Sequence, residues 1–271
     1  MSETTSQSDM ELSAPDVSQT EIADDNGSRA TAIQRLVGTV VSPEATFKEI
    51  DQNPSWVIPF LFGVMISFAF SIYLGIKLDS GTHRLVQDVK PQITEKAGGR
   101  QIQEQDIESL SKAVKGLLVA TAIFGRAILF LVLSVIFAGG LSMLGSGRSF
   151  KKVMSVIAWS NLAPHICGIL VFVISLEAAS LERLEYADPF NYQSLILTNL
   201  SGLLRPDSSP VIVSALNSLD PFIVWFLILL TIGLSATEGE KKLSKAKAGG
   251  LVFGLWMVWI TAKVGVSAVW G

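Results

Sequence analysis

Five long apolar runs, separated by polar stretches, set the pattern of the chain. They lie at 56–76, 127–144, 153–176, 222–236 and 249–270. A helix needs about 20 mostly apolar residues to cross the roughly 30 Å hydrocarbon core of a bilayer. Because there are five such runs and several contain no charge, helices buried in a soluble protein are a much weaker explanation. The pattern predicts an all-α fold, a polytopic membrane helical bundle with about five transmembrane helices.

Some parts of the chain fit this prediction less simply. The run at 222–236 is short though dense in apolar residues, and the run at 153–176 is interrupted by polar residues. The segments 195–204 and 211–219 are apolar but shorter than a span, and polar residues punctuate them. We predict interfacial or re-entrant helices for these two segments, with the choice between the two left open.

The segment before the first run predicts two short amphipathic helices over 31–52. Ser42 and Pro43 are residue types typical of a helix cap and a first helical position, and the second helix carries Phe47 and Ile50. A narrow apolar stripe with recurring polar residues suits the membrane interface better than a crossing. Lipid contact and packing on the bundle both stay open for this stripe. Its members in the first helix are Ile33, Leu36, Val37, Val40 and Val41.

Composition changes this picture mainly at the N-terminus. The whole chain is 49% hydrophobic and 17% charged, against about 25% charged residues in soluble domains. Residues 1–30, in contrast, carry seven acidic side chains and one basic one, with no aromatic residue. Such a segment cannot bury enough apolar surface to fold alone. The predicted organisation is a disordered acidic tail at 1–30, amphipathic interfacial helices at 31–52 and a five-span membrane domain at 53–271.

Basic residues in the short loops predict the orientation in the membrane. Three bases lie at 148–152, after the second run, and four lysines lie at 241–247, after the fourth. Lys and Arg in short loops favour the cytoplasmic side. With five spans, both loops share a side with the N-terminus, so we predict a cytoplasmic N-terminus and an exterior C-terminus. Bases at 77–115 would lie outside, but acids are interleaved with them in a longer loop, where the rule is weaker.

Catalytic and metal-binding patterns are absent from the sequence. The two histidines, His83 and His165, have no partner at metal-ligand spacing, and Cys167 is the single cysteine. There is no HExxH motif and no Gly-rich phosphate-binding loop after a strand. The glycines at 145–147 lie in a basic loop, where a turn is a better explanation than a protease motif. We therefore expect no enzyme activity, no cofactor and no bound metal.

Charged residues inside or beside the apolar runs are the first candidate site. A charged side chain at the centre of a bilayer costs about 2.5–3.5 kcal/mol on insertion scales. With the predicted orientation, four such residues lie towards the exterior side: Arg126, Glu177, Asp220 and Lys263. One interpretation is an intramembrane polar cluster that holds the bundle together. The other is that each long side chain reaches the headgroup layer on its own.

The second candidate is a polar patch in the third run, formed by Asn161, Pro164 and His165. A proline inside a span frees a backbone carbonyl and kinks the helix, and polar neighbours can satisfy that carbonyl. We predict this structural role for the patch. A proton or metal site there is the weaker alternative.

Three stretches carry a family resemblance. They are VSPEATFKEI at 41–50 followed by PSW, GRSFKKVMSV at 147–156, and LNSLDPFIVW at 216–225 continuing to TIGLSA. In this order and placement they resemble the Yip (Ypt-interacting protein) domain family in its bacterial form. The resemblance covers about residues 35–270, and it rests on the arrangement of the stretches because no single one is specific.

The resemblance implies five spans with a cytoplasmic N-terminus, in a bacterial cytoplasmic membrane, and it supplies no catalytic residues. Eukaryotic relatives bind prenylated Rab-type GTPases and act in vesicle traffic. The Asp-Leu-Tyr-Gly-Pro type motif of those relatives is not present in this sequence. GTPase binding is therefore not carried over.

Two functions remain in competition. The leading hypothesis is a non-enzymatic integral membrane scaffold or adaptor, which organises membrane or recruits partner proteins. The alternative is a small-solute or ion transporter or channel subunit that uses polar residues in spans two, three and five. A transporter is expected to show inverted repeats, and no convincing repeat relates the two halves. Expected partners are the lipid bilayer, an unidentified membrane or cytoplasmic protein, and a second copy in a homo-oligomer; no nucleic acid is expected.

Overall fold

The computed structural model describes residues 30–96, 103–179, 200 and 209–270. The predicted acidic tail and the segment 195–204 lie almost wholly outside these described residues. Within them the regular secondary structure is helical, which confirms the predicted fold class. The elements are α1 (Ala32–Val41), α2 (Pro43–Gln52), α3 (Val57–Lys77), α4 (Asp79–Lys96), α5 (Glu104–Ala120), a π-helical turn (Thr121–Gly125), α6 (Arg126–Met143), α7 (Phe150–Glu177), α8 (Pro210–Leu216), α9 (Pro221–Ala236) and α10 (Lys245–Trp270).

Four helices in the described residues are long and apolar enough to cross a membrane. They are α3, the continuous 40-residue helix from α5 through α6, α7, and α10. The predicted fourth run forms α9, which has 16 residues and is therefore about 24 Å long at 1.5 Å per residue. That length is below the roughly 30 Å of the hydrocarbon core. If the C-terminus of α9 reaches one surface of the membrane, its N-terminus therefore stays inside the hydrocarbon core.

Helix α7 forms the centre of the bundle, with α3, α6 and α9 packed around it. Its first turns are buried on every side, from Val153 to Ser160. The large indole of Trp159 is 1% exposed, and its Nε1 donates a hydrogen bond to the carbonyl of Ser55 at 2.8 Å. This bond satisfies the one polar atom of the indole, so the ring can fill the core without an unpaired donor.

Helix α2 is part of this core, although the sequence left two interpretations open for the segment before the first span. Phe47 is 0% exposed and Ile50 is 1% exposed, in contact with α7 and α9. Gly233 makes this approach possible, because a Cβ there would lie 2.6 Å from Val156 and 3.1 Å from Phe47. Of the two interpretations, lipid contact and packing on the bundle, α2 therefore shows packing on the bundle.

Helix α1 behaves differently. Leu36 packs against the core, but the rest of the apolar stripe faces outward. The exposed fractions are 74% for Ile33, 54% for Val37, 48% for Val40 and 74% for Val41. Helix α2 thus packs on the bundle, whereas most of the apolar stripe of α1 is left uncovered by the rest of the described chain.

The predicted turn at 145–147 is also present, between α6 and α7. Gly145 has φ 63°, a left-handed conformation that glycine adopts without strain. Ser146 is buried, and its hydroxyl donates to the carbonyl of Lys241. This turn, the loop between α9 and α10, and helices α1 and α2 together form one end of the bundle, called the α1–α2 end below.

Candidate functional site

Arg126 lies where the π-helical turn passes into α6, and its side chain points into the bundle. Its Nη2 donates to Oδ1 of Asn161 at 2.7 Å, and its Nη1 lies 3.0 Å from Nε2 of His165. Gly63 on α3 makes room for the guanidinium, because a Cβ at that position would lie 2.7 Å from Nη2. Short π-helical segments within α-helices often occur at functional sites.

The hydrogen bonds fix the proton position on His165. An arginine side chain has donors only, so Nε2 of His165 must accept from Arg126 and carries no proton. The imidazole is therefore neutral, with its proton on Nδ1. The hydroxyl of Ser67 lies 2.9 Å from the same Nε2 and 2.9 Å from the carbonyl of Gly63. The cluster as a whole carries the single positive charge of the guanidinium.

The cluster lies deep in the bundle. Ser67 is the middle residue of the 21-residue helix α3, so it is about 15 Å from either helix end at 1.5 Å per residue. At this depth a charged side chain is costly, and it is normally found facing protein or a water-filled cavity. In the structure two of the guanidinium donors of Arg126 have partners inside the bundle, at Asn161 and His165.

The other three residues of the predicted charged cluster have different neighbours. Glu177 accepts from Tyr73 Oη at 2.6 Å and from Lys77 Nζ at 2.8 Å, at the end of the bundle opposite to α1–α2. Lys263 Nζ lies 3.4 Å from the hydroxyl of Ser218. Among the ion pairs between described residues, none includes Arg126. The structure thus does not bring Arg126, Glu177 and Lys263 into one group.

Asp220 is the one residue of that prediction that shares a site with Arg126. Its Oδ1 caps α9 by accepting from the backbone N–H of Phe222 at 2.7 Å and of Ile223 at 3.4 Å. Asp220 and Arg126 both line a cavity of about 590 Å³ between the helices. Capping explains the position of this carboxylate, because it accepts two N–H groups that have no partner within the helix.

The predicted polar patch on α7 lines the same cavity. Asn161 and His165 are four residues apart, so they lie on one face of the helix, and both bind Arg126. Pro164 lies inside α7 and also lines the cavity. The sequence indicates these residues and Arg126 as separate candidates and does not pair them. Ser67 is not distinguished in the sequence, because its hydroxyl is one of several in the first run, with those of Ser71 and Tyr73.

Ion pairs and hydrogen bonds hold the α1–α2 end together. Arg35 bonds Glu49 at 3.1 Å and the hydroxyl of Ser55 at 2.6 Å, which ties α1 to α2 and to the entry of α3. Asp51 pairs with Lys152 of α7 at 2.8 Å. These contacts fix α1 and α2 relative to the spans.

Two further contacts at this end have an electrostatic consequence. Arg148 donates to the carbonyl of Thr237 at 2.8 Å; burial lowers the pKa of this guanidinium, and the Asp51 carboxylate opposes that shift. Glu44 of α2 pairs with Lys245 of α10 at 2.7 Å. The hydrogen bond from Lys245, followed by that from Lys48, lowers the pKa of Glu44.

Comparison with known proteins supplies the family. A family model described as Yip1 domain matches residues 37–266. The chain is 25% identical over 233 residues to a protein of Bacillus subtilis (strain 168) described as membrane protein YknW, and the match covers 86% of this chain and 91% of that protein. No solved structure matches the chain.

Proposed function

Because this chain belongs to the Yip1 domain family of membrane proteins, we propose that it acts as a non-enzymatic scaffold or adaptor at the membrane. In this proposal the α1–α2 end faces the cytoplasm and recruits a membrane or cytoplasmic protein. The observation that carries it is the apolar stripe of α1, exposed on a helix that the bundle holds in place. The members of the stripe are Ile33, Val37, Val40 and Val41.

The packing of α2 supports a binding role for α1. Burial of apolar surface stabilises by roughly 25 cal/mol per Å², so an exposed stripe favours a partner that covers it. The salt bridge from Arg35 to Glu49 joins α1 to α2, and the buried Phe47 packs α2 on the spans. A partner then binds a preformed surface and loses little conformational entropy of the chain on binding.

Affinity purification of the tagged protein in mild detergent tests this proposal. We expect a stoichiometric partner with the wild type and its loss with Val37→Asp combined with Val41→Asp, because two carboxylates on the stripe oppose an apolar contact. Gln52→Asp is the matched control, since Gln52 is exposed at the end of α2. All three proteins must reach the membrane at equal levels. Equal recovery of the partner with the double variant would contradict the proposal.

Self-association is tested in the same preparation. A second copy of the chain with a different tag is co-expressed, and its recovery reports a homo-oligomer. If the second copy is the component that Val37→Asp with Val41→Asp removes, the stripe of α1 is an interface between copies and the scaffold assembles through itself.

The transporter alternative has weaker support from the geometry. It needs polar residues of spans two, three and five along one pathway. Arg126 and His165 line the cavity, but Lys263 of α10 is not among its lining residues. Solute or ion flux into reconstituted liposomes that is lost in Arg126→Ala or His165→Ala would favour transport. The scaffold would be favoured if Val37→Asp with Val41→Asp loses the partner while Arg126→Ala and His165→Ala leave the permeability of the liposomes unchanged.

A further inference from the structure

The cavity beside Arg126 combines one cationic group with apolar walls. Its polar side includes Ser67, Asn161 and His165, and its apolar side includes Phe172, Phe222 and Phe226. We propose that this cavity binds the oxyanion head of a membrane amphiphile, a phosphate or a carboxylate, at Arg126. The hydrocarbon chain of the amphiphile then lies along the aromatic walls.

The guanidinium has donors left for such a ligand. Arginine carries five N–H donors in a planar fork, and two of them bond Asn161 and His165. The described partners are both neutral, so they orient the guanidinium without cancelling its charge. A planar fork of donors matches the paired oxygens of a carboxylate or phosphate. Arg126 is thus held in position and still able to bind an anion.

The carboxylate of Asp220 does not neutralise this cation directly. One of its oxygens accepts the N–H groups of Phe222 and Ile223. These groups belong to the N-terminus of α9, where the helix dipole favours a negative charge. No ion pair between Asp220 and Arg126 occurs among those of the described residues. The charge of Asp220 is thus stabilised by the N-terminus of its own helix, and the guanidinium of Arg126 can still bind an anion.

Depth and wall chemistry favour an amphiphile over a free anion. Ser67 marks the middle of α3, and a free anion there must lose its water without gain from the apolar walls. The head of an amphiphile meets Arg126 while its chain stays in an apolar environment against Phe172 and Phe226. The volume of about 590 Å³ is within the range of about 300–1,000 Å³ that is typical of small-molecule sites.

Native mass spectrometry of the full-length, delipidated protein in detergent tests the charge requirement. The probes are phosphatidylglycerol, palmitate and inorganic phosphate, each titrated separately. We expect phosphatidylglycerol or palmitate to bind, and inorganic phosphate to bind at least about tenfold more weakly. Arg126→Gln is expected to weaken amphiphile binding by about tenfold or more, the effect of losing a charged hydrogen bond. Lys263→Gln removes the same charge outside the cavity and is expected to leave binding unchanged.

A second variant tests the cavity and leaves Arg126 in place. Gly168 lines the cavity, and a Cβ there lies at an ordinary 3.5 Å from the ring of Phe222. Gly168→Leu therefore starts its side chain at the cavity wall beside Phe222 and is expected to weaken amphiphile binding by about tenfold or more. Gly254→Leu is the control, because a Cβ at Gly254 meets nothing within 4 Å. If Arg126→Gln does not fold, the comparison of Gly168→Leu with Gly254→Leu decides whether the amphiphile binds in the cavity.

Three results would overturn the inference. They are the absence of amphiphile binding by the wild type, unchanged binding by Gly168→Leu or by a folded Arg126→Gln, and binding of inorganic phosphate as tight as that of either amphiphile. The last result would assign a free-anion site. The inference is independent of the scaffold proposal, since Val37→Asp with Val41→Asp alters α1 alone and is expected to leave amphiphile binding intact.

Discussion

At the scale of single residues, Gly63 decides whether Arg126 can reach its partners. The guanidinium passes so close to α3 that a Cβ at Gly63 would lie 2.7 Å from Nη2. A long side chain can move away from such a clash. That movement would break the bonds to Asn161 and His165, however, and would leave a charged donor without partners at membrane depth.

We therefore predict that Gly63→Val destabilises the protein by about 1–3 kcal/mol, the cost of an unsatisfied buried polar group. Thermal unfolding in detergent, followed by loss of the monodisperse peak, measures the change. Gly254→Val introduces the same side chain on α10 where nothing lies within 4 Å, and it is expected to unfold like the wild type. Equal unfolding temperatures for the two variants would show that Arg126 does not need this space.

At the scale of the elements, α2 is attached to the bundle by its buried face. Phe47 is 0% exposed and packs in the core formed with α7 and α9. Truncation of a buried phenylalanine to alanine costs about 3–5 kcal/mol. For Phe47→Ala we predict a loss of this size and faster proteolysis within residues 42–55.

The matched control is Val41→Ala, on the exposed stripe of α1 (74% exposed), which is expected to change neither stability nor proteolysis. Limited proteolysis with mapping of the first cleavage site makes the measurement. Cleavage of Phe47→Ala at the wild-type rate would mean that the pairs Arg35–Glu49 and Asp51–Lys152 hold α2 by themselves.

A second prediction for the elements concerns the pair that joins α2 to α10. Lys245, and then Lys48, lowers the pKa of Glu44 from its ordinary value of 4.5. A carboxylate whose pKa is lowered on folding stabilises the folded state above its ordinary pKa, and this stabilisation disappears as the pH falls through the lowered value. We predict that Glu44→Gln unfolds earlier than the wild type at pH 7.

The difference in unfolding temperature between Glu44→Gln and the wild type is expected to shrink below pH 4.5. It is expected to vanish at lower pH, where Glu44 and the substituted Gln are both neutral. Unfolding temperatures measured as a function of pH follow this difference. The Glu44–Lys245 pair is exposed, so salt screens it, and the screening length falls to about 3 Å at 1 M salt. High salt at pH 7 should therefore also reduce the difference in unfolding temperature. A difference between the proteins that is constant from pH 7 to pH 3 would assign the effect to packing.

At the scale of the whole molecule, basic residues at the α1–α2 end predict a cytoplasmic location for that end. In a Cys167→Ser background, we predict that Lys242→Cys reacts with a membrane-impermeant maleimide only after cells are permeabilised. Gln87→Cys, exposed on α4 near the opposite end, should react in intact cells. Labelling in the reverse order would contradict the orientation, and labelling of both in intact cells would contradict an odd number of crossings between them.

The sequence by itself determined the helical class, the order of the apolar runs, the turn near Gly145 and the family resemblance. The first three depend on local properties, such as hydrophobic length, period and turn residues, and the resemblance depends on the order and placement of three sequence stretches. The sequence also identified Arg126, Asn161 and His165 as unusual, because polar groups in apolar runs are visible without a structure. These parts of the candidate site were therefore predictable as single residues.

Only the tertiary structure decided which of these residues meet. Arg126 binds Asn161 and His165 while Glu177 pairs with Lys77. The rotation and depth of one helix relative to another select these partners, and neither is encoded in the pattern of a single helix. For the same reason the sequence could not tell that α2 enters the core while α1 keeps an exposed stripe. A short amphipathic helix has one apolar face, and its neighbours decide whether protein covers that face.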